Sequence, residues 1–327
     1  MQTTVVGNYP KVPNLPKPAK LRNAINEFDT GRITLEQLRK IKDEVTIEVI
    51  HEQVNAGIDI ITDGQIRWDD AQTYFAKDIE GFSINGLIRY FNTNTYYRQP
   101  IIETKLKWNR AITVNDFNFA VQNSNVPVKA VVIGPYTLAR LSKNNSYKDF
   151  DELILDLALI LNNEVVELQE AGANFIQIDE PAITNNFVDD DVDVDLLKEA
   201  VAKLFKGISA KKSLYTYFGT IDGLYPDILD FDIDVLGLDF VMGRENFEIL
   251  EKADFTKELG FGIIDARNTK LEKKIEIINN IKKITRIVQN DKLYINPSCG
   301  LEFLPRENAY AKLVNMVSAV KDMDNNL

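Results

Sequence analysis

Carboxylates follow several short apolar runs of the sequence, at the point where each run ends. Asp179 and Glu180 follow FIQI, Asp239 follows VLGL, and Cys299 lies just beyond LYINPS. Carboxylates that converge on one rim repel one another unless a bound amine, a metal or an arginine pairs with them. As a set these residues predict a ligand-binding rim, whereas any single carboxylate is equally explained by a pair with arginine that orders a loop.

The sequence itself restricts metal chemistry. It contains one cysteine, Cys299, and one histidine, His51. A zinc site takes three or four ligands, mostly Cys and His, so a site here would need carboxylates for the remaining ligands. His51 lies in a charged stretch of helical pattern, which favours an imidazole that packs on a helix or faces solvent. We therefore predict no metal bound by this chain.

Composition and charge argue against two further classes of function. The 327 residues carry a formal net charge of −11, which argues against sequence-independent binding of nucleic acid because that binding depends on Lys and Arg. No apolar run reaches the roughly 18 to 20 residues that span a bilayer, and the start MQTTVVGNYP is unlike a signal peptide. These observations predict a cytoplasmic protein without nucleic-acid or membrane partners.

The elements that would position the rim alternate between apolar and amphipathic stretches. Gly, Pro, Asp or Asn bound each apolar run, as in the strands of a parallel sheet, and helical patterns separate the runs. Eight such units predict an α/β protein with a single (β/α)8 TIM barrel over residues 1–327, whose strand ends face the active-site mouth. The predicted strands are TTVVG (3–7), IDIITDG (58–64), VKAVVIG (128–134), NFIQIDEP (174–181), SLYTYFG (213–219), VLGLDF (235–240), GFGIIDA (260–266) and LYINPS (293–298).

The interval after the second predicted strand is unusually long. It runs from Gly64 to Val128 and contains FSINGLIRYFNTNTYYRQPIIETKLKW, which alternates like an antiparallel strand pair. We predict a β-hairpin inserted after strand 2 at about residues 80–110. Its aromatic residues would pack on the barrel or stack on a ligand.

Several strings, taken in order, resemble one known family over nearly the whole chain. They are VVGNYPKV, GIDIITDGQIRWDDAQTYF, VVIGPYTLARLS, FIQIDEPAI, GIIDARN and NPSCGLEFLP. The family is that of the cobalamin-independent methionine synthases, whose long form has two homologous barrels. In the C-terminal barrel of that form, zinc activates homocysteine as a thiolate toward the methyl group of 5-methyltetrahydrofolate.

The resemblance implies a degenerate zinc site. The family's ligands are a His-x-Cys pair, a Glu and a late Cys, and the matching positions here are Tyr215, Tyr217, Asp239 and Cys299. Neutral phenols are poor zinc ligands because their ordinary pKa is near 10.

The resemblance also identifies positions that bind the amino acid. Gln65 stands where the family has a Glu that holds the homocysteine amine, Asn8 stands where it has a Ser, and Asp179 is retained. These three residues, with Glu180, Asp239 and Cys299, are the rim or substrate-binding candidates.

Other strings resemble the zinc-free N-terminal barrel of the long form. They include TYFG, LGLDFVMG, RYFNTNTYYRQP and PKPAKLRNAINEF. There, basic residues hold the polyglutamate tail of the folate, as a polyanion requires. The resemblance places Lys20, Arg22, Arg89 and Asn92 in a methyl-donor site. For the basic residues, a solvated helix face or a hairpin salt bridge is an equally good interpretation.

The resemblance therefore implies a stand-alone counterpart of the N-terminal barrel. It would bind 5-methyltetrahydrofolate or another methyl donor, hold no cofactor of its own, and act with a homologous barrel that carries the zinc. Two alternatives stay open. One is a complete cobalamin-independent methyltransferase with an atypical metal site around Cys299, Asp239, Asp179 and Glu180. The other is a non-catalytic protein that binds a folate or an amino acid.

Overall fold

The computed structural model describes residues 1–13, 18–184 and 192–324. The strands of this part of the chain are β1 (Gln2–Thr3), β2 (Ile79–Arg89), β3 (Tyr96–Trp108), β4 (Ala130–Ile133), β5 (Lys143–Asn144), β6 (Phe175–Asp179), β7 (Lys211–Tyr215), β8 (Val235–Asp239), β9 (Glu258–Ile264) and β10 (Leu293–Pro297). Seven of them form one parallel sheet in the order β1-β10-β9-β8-β7-β6-β4. Every strand pair in this sheet is parallel, as buried apolar strands separated by helices require.

The sheet curls so that its two edges approach the same segment. Thr4, just after β1, forms a parallel bridge to Ile60, and Ile61 forms another to Val128, just before β4. The predicted second strand, IDIITDG, is thus reduced to two single bridges. The predicted α/β class is confirmed, and the curled parallel sheet is consistent with a barrel-like fold.

Helices follow the strands and cover the outside of the sheet. The longest is α2 (Leu35–Ala56). The Thr34 side chain caps its start by accepting from the Gln37 amide, while the Gln37 side chain accepts from the Thr34 amide, and Gly57 caps its end in the left-handed conformation. No helix in the described ranges is long and apolar enough to cross a membrane. The helices are α1 (Lys20–Asp29), α2 (Leu35–Ala56), α3 (Ala71–Ala76), α4 (Val114–Gln122), α5 (Pro135–Leu141), α6 (Phe150–Glu170), α7 (Val194–Leu204), α8 (Asn246–Leu250), α9 (Lys274–Ile284) and α10 (Arg306–Asp324).

An antiparallel pair lies where the sequence alternates between residues 80 and 110. β2 pairs with β3 from Ile79 opposite Trp108 to Arg89 opposite Tyr96, and β3 also pairs with the short β5. Tyr96 is 64% exposed and Leu87 is 66% exposed near the turn. The pair therefore presents apolar side chains to solvent at its tip.

The interior of the curled sheet is filled by an aromatic ring. Tyr215, at the end of β7, is buried, and a Cβ atom on Gly237 would lie 2.3 Å from its ring. A Cβ atom on Gly260 would lie 2.5 Å from its hydroxyl. The ammonium group of Lys129 lies 4.7 Å from the ring centroid and donates to the Val5 carbonyl at 2.8 Å. Two glycines on neighbouring strands thus make room for one tyrosine.

Candidate ligand-binding site

A cavity of about 380 Å³ opens at the carboxyl ends of the strands. This is where ligands bind in folds built from parallel strands and covering helices. The side chains that carry its chemistry are those of Asn8, Gln65, Tyr90, Asp179, Tyr217 and Glu302.

Asp179 ends β6 and faces this cavity. Its Oδ1 accepts from Gln177 Nε2 at 2.6 Å, and its Oδ2 lies 3.4 Å from the Tyr217 hydroxyl, which donates to it. Burial raises the pKa of Asp179 to about 7, although the Gln177 hydrogen bond and the charge of Lys129 oppose the rise. A cation bound in the cavity would favour the charged form of this carboxyl group.

Asn8 and Gln65 lie beside Asp179 on the same cavity. The Asn8 carbonyl accepts from the Leu301 amide at 2.8 Å, which joins the first loop to the last. Gln65 is buried with a φ of 52°, and its side chain occupies the space beside Gly7. The structure therefore brings together the three positions that the resemblance assigns to the amino acid.

Glu302 is a residue that the sequence analysis missed. It lies in the short helical turn Leu301–Phe303 and lines the cavity. Its Oε2 is buried and has no hydrogen-bond partner within the described ranges. Burial raises the pKa of Glu302 to about 7, and Lys11 partly offsets this rise. The sequence does contain a feature that could have identified Glu302: it is the one acid in the otherwise apolar string GLEFLP, close to Cys299.

The positions implied for zinc do not form a metal site. Tyr215 points into the interior, and Asp239 is buried and accepts backbone amides from Phe218, Val241 and Met242 at 2.8 to 3.0 Å. Burial raises the pKa of Asp239 to about 6, against the pull of these amides. Within the described residues, no three His, Cys, Asp or Glu side chains are placed to hold a metal ion. These residues do not fit zinc.

The remaining zinc-related positions are also packed. The Cys299 thiol is buried beside the Gly300 carbonyl at 3.4 Å, and burial raises its pKa well above the ordinary value. Burial likewise raises the pKa of Tyr217. Of the four positions, only Tyr217 lines the cavity.

Glu180 faces away from the cavity, unlike its neighbour Asp179. Its carboxylate accepts the amides of Tyr136 at 3.0 Å and Thr137 at 2.7 Å, in the first turn of α5. A Cβ atom on Gly134 would collide with this carboxylate. Burial raises the pKa of Glu180 to about 7. By accepting these two amides, Glu180 holds the first turn of α5 in place.

The four methyl-donor candidates do not line one cavity. Lys20 pairs with Glu44 and Glu48 at 3.2 and 3.4 Å and borders a second cavity of about 420 Å³. Arg22 is exposed on α1. The first two residues of the string PKPAKLRNAINEF lie outside the described ranges.

The other two candidates belong to the hairpin turn. Arg89 Nε donates to the Thr93 carbonyl at 2.5 Å, within the turn that joins β2 to β3. The Asn92 carbonyl accepts from Arg267 at 3.0 Å. Both side chains are exposed, so this turn is tied to the loop after β9 by a backbone contact.

Comparison with known proteins finds relatives over nearly the whole chain. The family described as "Cobalamin-independent synthase, Catalytic domain" matches residues 1–322. The methionine synthase of Saccharolobus solfataricus is 36% identical over 323 residues, covering 98% of this chain and 94% of that protein. The methionine synthase of Sulfurisphaera tokodaii is 35% identical over 325 residues, with coverages of 98% and 92%.

Solved structures share the fold. A B12-independent methionine synthase from Shewanella sp. W3-18-1, in complex with selenomethionine, has a TM-score of 0.84 at 21% identity and covers 99% of this chain and 98% of that one. A putative vitamin-B12 independent methionine synthase from Listeria monocytogenes has a TM-score of 0.79 at 19% identity, with coverages of 98% and 96%. The sequence match over nearly the full length decides the assignment: this chain belongs to the cobalamin-independent methionine synthase family.

Proposed function

We propose that this chain takes part in methyl transfer to homocysteine as a zinc-free member of a pair. It binds the methyl donor, and a separate homologous barrel carries the zinc. Membership of the family supports the reaction class. The observation that supports the zinc-free role is the packing of Tyr215 between Gly237 and Gly260, because it fills the interior at a position where the resemblance implies a metal ligand.

We extend this proposal to the architecture of the chain. The bridges of Ile60 and Ile61 support a closed (β/α)8 barrel of one domain, with the β2–β3 pair as an insertion after the second strand. The apolar tip of that pair, with Leu87 and Tyr96, lies beside the cavity that Tyr96 also lines. A partner barrel that docks there would cover both the apolar tip and the cavity mouth.

A stand-alone synthase is the second candidate. The coverage of 94% of a relative named methionine synthase supports it. In that case Cys299, Asp239, Asp179 and Glu180 would have to rearrange to form an atypical metal site, because no three such side chains in the described ranges are placed to hold a metal ion. Changing Cys299→Ser would then abolish turnover, whereas the zinc-free role predicts little effect of this change on a reconstituted pair.

The test combines zinc binding with turnover. Isothermal titration of the isolated protein with zinc, and a methyl-transfer assay with homocysteine, should give neither stoichiometric binding nor product. Adding a purified zinc-bearing methionine synthase barrel should then restore turnover. Tight stoichiometric zinc together with turnover by the isolated chain would refute the proposal. A third outcome, ligand-induced thermal stabilisation by folates or homocysteine without turnover in any mixture, would identify a binding protein instead.

A further inference from the structure

The cavity at the strand ends has an aromatic wall. Five aromatic side chains contribute to it: Trp68, Tyr90, Tyr96, Tyr97 and Tyr217. Two of these side chains are held in place by neighbouring groups. Trp68 stacks on Tyr74 with ring centroids 5.1 Å apart, and the Tyr97 hydroxyl donates to the Leu141 carbonyl at 2.9 Å. Aromatic rings attract a cation that lies over their faces.

The charged side chains around the cavity also favour a cation over an anion. Its described lining includes the four carboxylates of Asp69, Asp70, Asp179 and Glu302 but a single cation, Lys11. The Lys11 ammonium donates to the backbone carbonyls of Trp68 and Asp69. An anionic ligand would enter a region of net negative charge, whereas a cationic ligand would be attracted.

Two of the carboxylates are already engaged. Asp69 pairs with Lys77, and Asp70 accepts from the Thr73 amide at 2.7 Å at the start of α3. Asp179 and Glu302 form no salt bridge with any described residue, and Glu302 Oε2 has no hydrogen-bond partner there. Asp179 accepts hydrogen bonds from Gln177 and Tyr217 but, like Glu302, has no ion-pair partner among the described residues, so a bound cation could neutralise both carboxylates.

The type of cation follows from the mixture of groups. A primary ammonium has three N–H donors to satisfy and needs a matching set of acceptors. A methylated sulfonium or quaternary ammonium has no such donor, and its methyl groups spread the charge over a surface that suits aromatic rings. The lining also contains acceptors that could satisfy an ammonium, among them Asn8 and Gln65, so it is the five rings that favour the second type.

We propose that this cavity binds a small methylated onium ion, with Glu302 and Asp179 as countercharges, and that this ion is the methyl donor. The inference rests on the proposed function. In the transfer, the bond from the methyl carbon to the donor sulfur or nitrogen breaks, and its electron pair stays on the donor, which becomes neutral. The homocysteine thiolate on the partner barrel supplies the pair for the new carbon–sulfur bond.

Equilibrium binding to the full chain tests the site with a matched pair of ligands. S-methylmethionine differs from methionine by one methyl group and the sulfonium charge. Isothermal titration should give at least about 10-fold tighter binding of S-methylmethionine, because only the sulfonium carries a positive charge at the sulfur that the rings and the two carboxylates attract. Glycine betaine and choline, tested in parallel, separate a sulfonium site from a quaternary-ammonium site.

Variants test the role of the carboxylate. Glu302→Gln keeps the shape and removes the charge, so it should weaken S-methylmethionine binding by about 10-fold and leave methionine binding unchanged. Glu170→Gln, at the exposed end of α6, is the matched control and should bind like the unmodified protein. If Glu302→Gln does not fold, Asp179→Asn provides the same comparison.

Three results would overturn the inference. They are equal affinities for methionine and S-methylmethionine, no effect of either carboxylate variant on onium binding, or binding of 5-methyltetrahydrofolate in the absence of onium binding. The outcome does not depend on turnover. Onium binding without activity in a reconstituted pair would instead refute the proposed function and the ion's role as methyl donor, and would leave the cation site standing.

Discussion

Replacing Gly237 by Ala tests whether Tyr215 occupies the interior of the sheet. The added Cβ atom would lie 2.3 Å from two carbons of the Tyr215 ring. Ordinary contacts between such atoms are 3.4 Å or longer, so the ring must move by about 1 Å or the strands must separate. The ring has little space to move because Gly260 and the Lys129 ammonium lie on other sides of it.

The size of the effect follows from overpacking. Extra methyl groups forced into a packed core destabilise by about 1–3 kcal/mol, and a clash with a ring wedged between two strands belongs at the upper end, about 3 kcal/mol. Tyr215→Ala alone should cost about 3–5 kcal/mol through the void it leaves. In that background the new methyl group of Gly237→Ala enters empty space, so its cost should fall to near zero. The expected coupling is therefore about 2–3 kcal/mol.

The assay is urea unfolding of all four members of this double-mutant cycle, followed by circular dichroism. The free energies of unfolding come from linear extrapolation, with similar slopes required for a valid comparison. If Gly237→Ala costs the same in both backgrounds, within about 0.5 kcal/mol, the ring does not fill this space. Tyr215 would then be free to face the rim, and the argument against a metal site at this position would fail.

Three further predictions follow from the buried acids and the thiol. Glu180→Ala should destabilise by about 2 kcal/mol, because it leaves two buried amides without an acceptor, while ligand affinity stays unchanged; a loss of affinity in calorimetry would place Glu180 in the site. The native pKa of Glu302 is about 7 against an ordinary 4.5, so its ionisation costs native-state stability as pH rises through this range. The free energy of unfolding of Glu302→Gln minus that of the unmodified protein should therefore grow by up to about 3 kcal/mol between pH 4.5 and 8, at about 1.4 kcal/mol for each pH unit between the two values; a difference that does not change with pH contradicts the buried carboxylate. Iodoacetamide should alkylate Cys299 slowly in the native protein and rapidly in urea, because burial raises the thiol pKa; rapid native labelling, measured by mass spectrometry, would show an accessible thiolate.

Much of the fold was predictable because the strands are apolar and the helices amphipathic. The same continuous apolarity hides the direction of each side chain, since a strand buried on both faces has no alternating pattern. Asp179 and Glu180 are neighbours in sequence, yet only Asp179 lines the cavity while Glu180 binds the α5 turn. Tyr215 and Tyr217 both occupy positions that the resemblance implies for metal ligands, and only Tyr217 lines the cavity.

The loop residues were harder to predict than the strands. Glu302 lies in a short turn after the last strand rather than at a strand end, so strand-based reasoning passed over it. The basic candidates failed to gather for a different reason. These residues were assigned because their sequence string resembles a family motif. The string alone does not show that two glutamates of α2 form ion pairs with Lys20.

The glycine pair around Tyr215 also bears on how this chain can evolve. A single Tyr215→His change would leave a void beside Gly237 and Gly260, and its cost would grow by about 24 cal/mol per Å³ of residual cavity. The His alone would not complete the ligand set that the resemblance implies unless Tyr217 also became Cys. The first change would therefore lower stability without adding a metal site. The packing of Tyr215 against the two glycines would therefore oppose a stepwise gain of the metal ligands that the resemblance implies at these positions.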